Sequence, residues 1–207
     1  MAGAGLFITL EGGEGAGKST AAAGLAAALR TEGREVVLTR EPGGTKGAEA
    51  IRALLLNQDI PLDPLAQTML HFAARMDHVA ALIRPALARG AVVICDRFYD
   101  STMAYQSYGQ GVALADVRAL ISLLGLKPDV TFLLELPEVE AKRRLTARAS
   151  GTDRYEEMDE AFFTRVRDGF RAMAAGEPAR FIKIDASPAP EAVVASLRQA
   201  LRERTGC

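Results

Sequence analysis

The run Gly12-Gly13-Glu14-Gly15-Ala16-Gly17-Lys18-Ser19 has the spacing G-x4-G-K-[ST]. It follows an apolar segment, Leu6 to Leu10, that reads as a strand. It leads into an alanine- and leucine-rich stretch, Lys18 to Thr31, that reads as a helix. A strand before and a helix after are the context that separates a phosphate cradle from an ordinary glycine-rich turn. Glycines let backbone N–H groups converge on phosphate oxygens, and the helix start adds about half a positive charge. Lys18 is expected at the β- and γ-phosphates and the Ser19 hydroxyl at Mg²⁺. The expected triphosphate-binding set is Gly12, Gly13, Glu14, Gly15, Ala16, Gly17, Lys18, Ser19 and Thr20.

Away from this loop, short apolar runs alternate with longer helical patterns, as in βαβ units around a parallel sheet. Strands are expected at Leu6 to Leu10, Glu35 to Thr39, Ala91 to Cys95, Val130 to Leu134 and Phe181 to Ile184. All but the second are nearly unbroken apolar segments, as strands covered on both faces require. Helices are expected at Lys18 to Thr31, Gly47 to Leu56, Pro64 to Ala88, Leu114 to Leu124, Glu138 to Arg148, Asp159 to Ala174 and Pro190 to Arg204. Gly33, Gly90, Gly125 and Gly176 fall where helices should stop. The expectation is an α/β fold of the P-loop NTPase type: three layers, with a five-stranded parallel sheet flanked by helices. No repeat or low-complexity linker divides the 207 residues, so one domain is expected.

Composition narrows the function. At 49% hydrophobic and 25% charged, the chain has the make-up of a globular protein without need of a metal or disulfide scaffold. Its two cysteines, Cys95 and Cys207, are far apart in sequence, which fits a reducing compartment. A net charge of −1 offers no global attraction to nucleic acid or to anionic membrane, so neither partner is expected. No apolar run approaches the ~20 residues that span a bilayer, and Met1 to Leu10 has no basic region of the kind that begins a signal peptide. A cytoplasmic location is therefore expected. A regulatory GTPase would carry D-x-x-G and N-K-x-D elements, and the chain has neither.

Three further stretches carry chemistry. Thr39-Arg40-Glu41-Pro42-Gly43-Gly44-Thr45 follows the second strand; by itself Pro-Gly-Gly is a tight turn. His71-Phe72-Ala73-Ala74-Arg75 lies on a long helix. Cys95-Asp96-Arg97-Phe98 ends the third strand, followed by Ser101-Thr102 and Ala104-Tyr105-Gln106. An acidic residue ending a strand beside a phosphate loop can approach Mg²⁺, so Asp96 joins Ser19 as a candidate metal ligand. The forked donors of Arg97 can clamp a phosphate.

Together with the glycine loop, these stretches resemble bacterial thymidylate kinases along nearly the whole chain. The resemblance implies phosphoryl transfer from Mg·ATP to dTMP, giving dTDP and ADP on the way to dTTP. Glu14 would approach the sugar 3′-hydroxyl, and Pro42 would border the acceptor nucleotide. Arg75 would hydrogen-bond the base, and an aromatic one turn earlier would stack on it. Phe72, three residues before Arg75, is the chosen stacker. His71, four before, stays open because i+3 and i+4 neighbours share a face. Arg97 would sit at the junction of the two substrates, with Thr102 and Tyr105 near the sugar, Gln106 near the base and Ser101 among the same dTMP-binding residues. The phosphate loop holds no cation besides Lys18, so the missing charge is expected from Arg143, Arg144, Arg148 and Arg154. Arg154 lies in a lid segment at 149–157 and joins Lys18 and Arg97 as a catalytic candidate. Another nucleoside-monophosphate kinase is the nearest alternative, and a switch protein the more distant one. The resemblance also implies a homodimer.

Overall fold

Five strands, β1 (Leu6–Glu11), β2 (Val36–Arg40), β3 (Val92–Asp96), β4 (Val130–Glu135) and β5 (Phe181–Asp185), run parallel in the order β2-β3-β1-β4-β5. The structure is a computed structural model that describes residues 5–147 and 158–206. The proposed lid at 149–157, with Arg148, Arg154 and also Cys207, lies outside the described residues.

The central strand β1 pairs with β3 on one side and β4 on the other, Leu6 opposite Val92 and Ile8 opposite Val130. Alternation along the strands divides the core between the two faces of the sheet. Ile8, Leu10, Val92 and Ile94 face α1 (Lys18–Thr31) and α9 (Pro190–Thr205). Phe7, Val93 and Cys95 face the opposite layer, where Phe72, Ile83 and Val117 pack. The edge strand β2 is buried only at its first residue, Val36, and is partly or fully exposed beyond it, in keeping with a sequence that is less uniformly apolar.

The remaining helices are α2 (Lys46–Leu56), α3 (Pro64–His78), α4 (Arg84–Ala88), α5 (Tyr99–Thr102), α6 (Leu114–Leu124), α7 (Glu138–Thr146) and α8 (Glu160–Gly176). Two departures from the sequence pattern have physical causes. The helix expected over Pro64 to Ala88 widens into a π-helical turn at Val79–Ile83 before continuing as α4. Pro85 has no N–H to give the preceding turn, and its ring crowds that turn's carbonyl. The second departure is Tyr99 to Gly109, which forms α5 and a π-helical turn, Met103–Gly109, where the pattern suggested no element. Tyr, Ser, Thr and Gly are weak helix formers. Burial of Tyr99, Ala104 and Tyr105 holds this segment helical instead. Among the described residues, no helix is long and apolar enough to cross a membrane.

Candidate active site

The glycine loop leaves β1 at the centre of the sheet's carboxyl edge, where ligands of open α/β sheets bind. Gly12 has φ +139, and a Cβ there would meet the Leu134 carbonyl at 2.5 Å. Gly17 caps α1 in the left-handed region at φ 79. Both positions therefore require glycine. Lys18 folds back over the loop, donating from Nζ to the Gly12 carbonyl at 3.1 Å and the Gly13 carbonyl at 2.7 Å. Burial, with help from the Arg97 cation, lowers its pKa to about 8.

Beside the loop lies a cleft of about 530 Å³. Glu14, Gly15, Gly17, Lys18, Ser19 and Thr20 line one end of it. Gly12, Gly13 and Ala16 instead border a second, more apolar cavity behind the loop, and the Ala16 methyl packs into the core. The other end of the cleft is lined by Pro42, His71, Arg75, Arg97, Ser101, Thr102, Tyr105 and Gln106.

Where the two ends meet, Ser19 Oγ donates to Asp96 Oδ2 at 2.5 Å. Asp96 Oδ1 is buried without a hydrogen-bond partner. A hydroxyl and a carboxylate with an unsatisfied oxygen form a hard-donor pair of the kind that Mg²⁺ prefers. Opposite them, Arg97 Nη1 donates to the Gly12 carbonyl at 3.2 Å and to Ser101 Oγ at 3.0 Å. Its Nη2 donates to Glu14 Oε1 at 2.5 Å and to the Tyr105 hydroxyl oxygen at 3.3 Å. Burial opposes the Arg97 charge, yet Glu14, Tyr105 and Asp96 raise its pKa above the usual arginine range. Tyr105 also donates to Glu14 Oε1 at 2.9 Å, so Glu14 is held against Arg97 and Tyr105.

A buried chain of polar groups backs the far wall. Arg75 Nε donates to Glu41 Oε2 at 2.6 Å and Nη2 to Thr102 Oγ1 at 3.1 Å. The other Glu41 oxygen lies 3.0 Å from His78 Nδ1, and His78 Nε2 lies 2.7 Å from Thr39 Oγ1. Two donors of the Arg75 fork are therefore fixed, while Nη1 is buried without a hydrogen-bond partner. Glu41 was not singled out in the sequence because an acidic residue before a turn proline is unremarkable. Its role emerges only when α3 packs against the end of β2.

One expectation fails. Phe72 does not line the cleft: it is 1% exposed, in a core cluster with Phe7 and Phe98. Its ring supports Arg75 from beneath, with the guanidinium carbon 4.7 Å from the ring centroid. The physical reason is that an apolar ring gains more from the core than from a wall of charged groups. His71 takes the cleft position, and burial followed by repulsion from Arg75, Arg97 and Arg52 lowers its pKa to about 3. A neutral imidazole thus faces the cleft beside Arg75. Arg144, among the cations expected near the phosphates, lines the cleft beside Gly17. Arg143 is exposed and paired with Glu140.

A phosphate cradle that opens, across Lys18 and Arg97, onto a second polar cleft defines a kinase of small anionic acceptors built on a P-loop. Comparison with known proteins narrows the class. The thymidylate kinase family model matches residues 10–197. A curated thymidylate kinase from Gluconobacter oxydans is 55% identical, over 98% of this chain and 97% of its own length. One from Chromohalobacter salexigens is 52% identical, over 97% and 96%. The crystal structure of thymidylate kinase from Ehrlichia chaffeensis superposes with a TM-score of 0.80 at 34% identity, covering 96% of this chain and all of that one. The chain belongs to the thymidylate kinase family. Its fold is that of the P-loop NTPases, and its reaction is transfer of the γ-phosphate of ATP to dTMP.

Proposed function

We propose that the two ends of the cleft divide this reaction: the glycine loop and Lys18 hold the triphosphate, and the wall built on Arg75 and Arg97 holds dTMP. One observation carries the acceptor half. Arg75 Nη1 is a buried donor without a protein acceptor, while its neighbours on the same guanidinium are fixed by Glu41 and Thr102. Such a group costs free energy unless a ligand satisfies it. Thymine offers a keto oxygen at O4, where cytosine presents an amino donor. Arginine has no acceptor to match that donor, so the wall favours thymine. Gln106, buried in the same wall, joins Arg75 at the base, and the neutral His71 ring offers the stacking surface in place of Phe72.

Ser19 and Asp96 would hold Mg²⁺, consistent with the unsatisfied Asp96 oxygen. When bound, the ion neutralises charge on the β- and γ-phosphates. The rest of the step falls to side chains. The acceptor phosphate, with a second pKa near 6, is largely a dianion at neutral pH and attacks without a general base. An acceptor oxygen bonds to the γ-phosphorus as the bond to the β–γ bridging oxygen breaks, and ADP departs with the electron pair. Lys18 and Arg97 steady the charge on the transferring group and bring two polyanions into line.

The homodimer belongs to the same reading. Leu65, Met69 and Met76 lie on one face of α3 and are exposed, Met69 by 57%. Light scattering should return twice the chain mass of 22.1 kDa; a monomer would contradict the interface. The activity itself is tested by following ADP with Mg·ATP and a panel of nucleoside monophosphates. dTMP should accelerate ADP release and yield dTDP. Release at the same rate with or without dTMP would refute the acceptor assignment.

A further inference from the structure

Arg97 has φ 68, the positive φ of a non-glycine residue found at this single position among the described residues. A side chain with a Cβ is unfavourable there unless its surroundings hold it. The end of β1 does the holding. The Leu10 carbonyl accepts from the Arg97 N–H at 2.9 Å. The Glu11 carboxylate, wholly buried, accepts from the next N–H, that of Phe98, at 2.7 Å through Oε1. Its Oε2 accepts from Ser101 Oγ at 2.5 Å, and that same hydroxyl oxygen accepts from Arg97 Nη1 at 3.0 Å. One carboxylate therefore ties down the backbone after Arg97 and, through Ser101, one arm of its fork. The mechanism gives Glu11 no other task.

We propose that Glu11 is a positioning residue for phosphoryl transfer, holding the left-handed turn at Arg97 and aiming its guanidinium at the junction of donor and acceptor. The inference rests on the role given to Arg97 above. Misplacing a clamp by about 1 Å can cost on the order of 100-fold in rate, so a residue that never touches substrate can matter this much.

A double-mutant cycle tests it. Arg97→Ala removes the fork while leaving a Cβ in the same backbone conformation. Glu11→Met keeps a straight chain and removes both acceptors. Glu11→Met should lower kcat/KM for dTMP by roughly 10- to 100-fold in the otherwise unaltered enzyme, and by much less when Arg97 is already Ala. Glu11→Gln, which keeps an acceptor for the Phe98 N–H, should recover most of the loss. Should Glu11→Met fail to fold, Glu11→Gln carries the same cycle through its altered contact with Ser101, with a smaller loss that again vanishes without Arg97. Equal losses in both backgrounds, or none in either, would overturn the positioning role while leaving Arg97 as assigned. Arg97→Ala with unchanged kcat/KM would overturn the Arg97 reading, and Glu11 would have nothing to act through.

Discussion

The two ends of the cleft are made of different material. At the donor end the working groups are backbone: glycines at positive φ, a helix start, and a lysine that rests on loop carbonyls. At the acceptor end they are side chains held by other side chains, with Thr102 and Glu41, itself bonded to His78, fixing Arg75, and Glu14, Tyr105 and Ser101 fixing Arg97. A triphosphate looks the same whatever base it carries, so a site built from backbone suffices for it. Telling one base from another needs donors aimed at particular atoms. Aiming them requires a buried network whose members depend on one another.

The sharpest break between the two ends should come from Lys18→Ala. It removes the cation proposed to steady the transferring group, and a loss of about 10³-fold in kcat is expected, with the thermal midpoint little changed. Near-normal turnover in an ADP-coupled assay would contradict the donor half. Asp96→Asn comes next. It weakens a carboxylate that Ser19 already contacts, and a rise of roughly 10- to 100-fold in the magnesium needed for half-maximal rate is expected. An unchanged magnesium dependence would remove Asp96 from the metal site. The smallest effect concerns His71, whose pKa is lowered to about 3 from an ordinary 6.5. Between those values the unfolded chain binds a proton that the folded chain refuses. This residue's contribution therefore lowers stability as pH falls through that window, and stability rises with pH across it. Nitrogen-15 NMR should find the His71 ring neutral at about pH 5; titration near 6.5 would contradict its burial among cations.

The same difference in material governs how much could be read from sequence. The donor loop was legible because a backbone-built site imposes glycine and lysine at fixed spacing within one segment. The strands were legible too: β1, β3 and β4 are buried along nearly their whole length and read as apolar runs, while the edge strands β2 and β5 are partly exposed. The acceptor end was legible only in part. Arg75 and Arg97 stood out through a family resemblance, but helix periodicity could not say which of His71 and Phe72 faces the cleft, because both precede Arg75 by about one turn. Packing of Phe72 against Phe7 and Phe98 decides that in three dimensions. Glu41 and Glu11 carry no local signal, since each acts across the sheet edge on a partner at least 34 positions away. The helical segment from Tyr99 to Gly109 was hidden for the same reason: tertiary burial, not propensity, holds it.

Arg75→Lys is the most direct measurement of whether the buried network does the reading. Lysine keeps a positive charge against Glu41, but its three donors radiate from one nitrogen and cannot span Glu41, Thr102 and a base as the planar fork does. The dTMP-to-dCMP ratio of kcat/KM should fall by roughly ten- to a hundredfold, the worth of one aimed base contact, while KM for ATP stays unchanged. An unaltered ratio would mean that the base is recognised elsewhere.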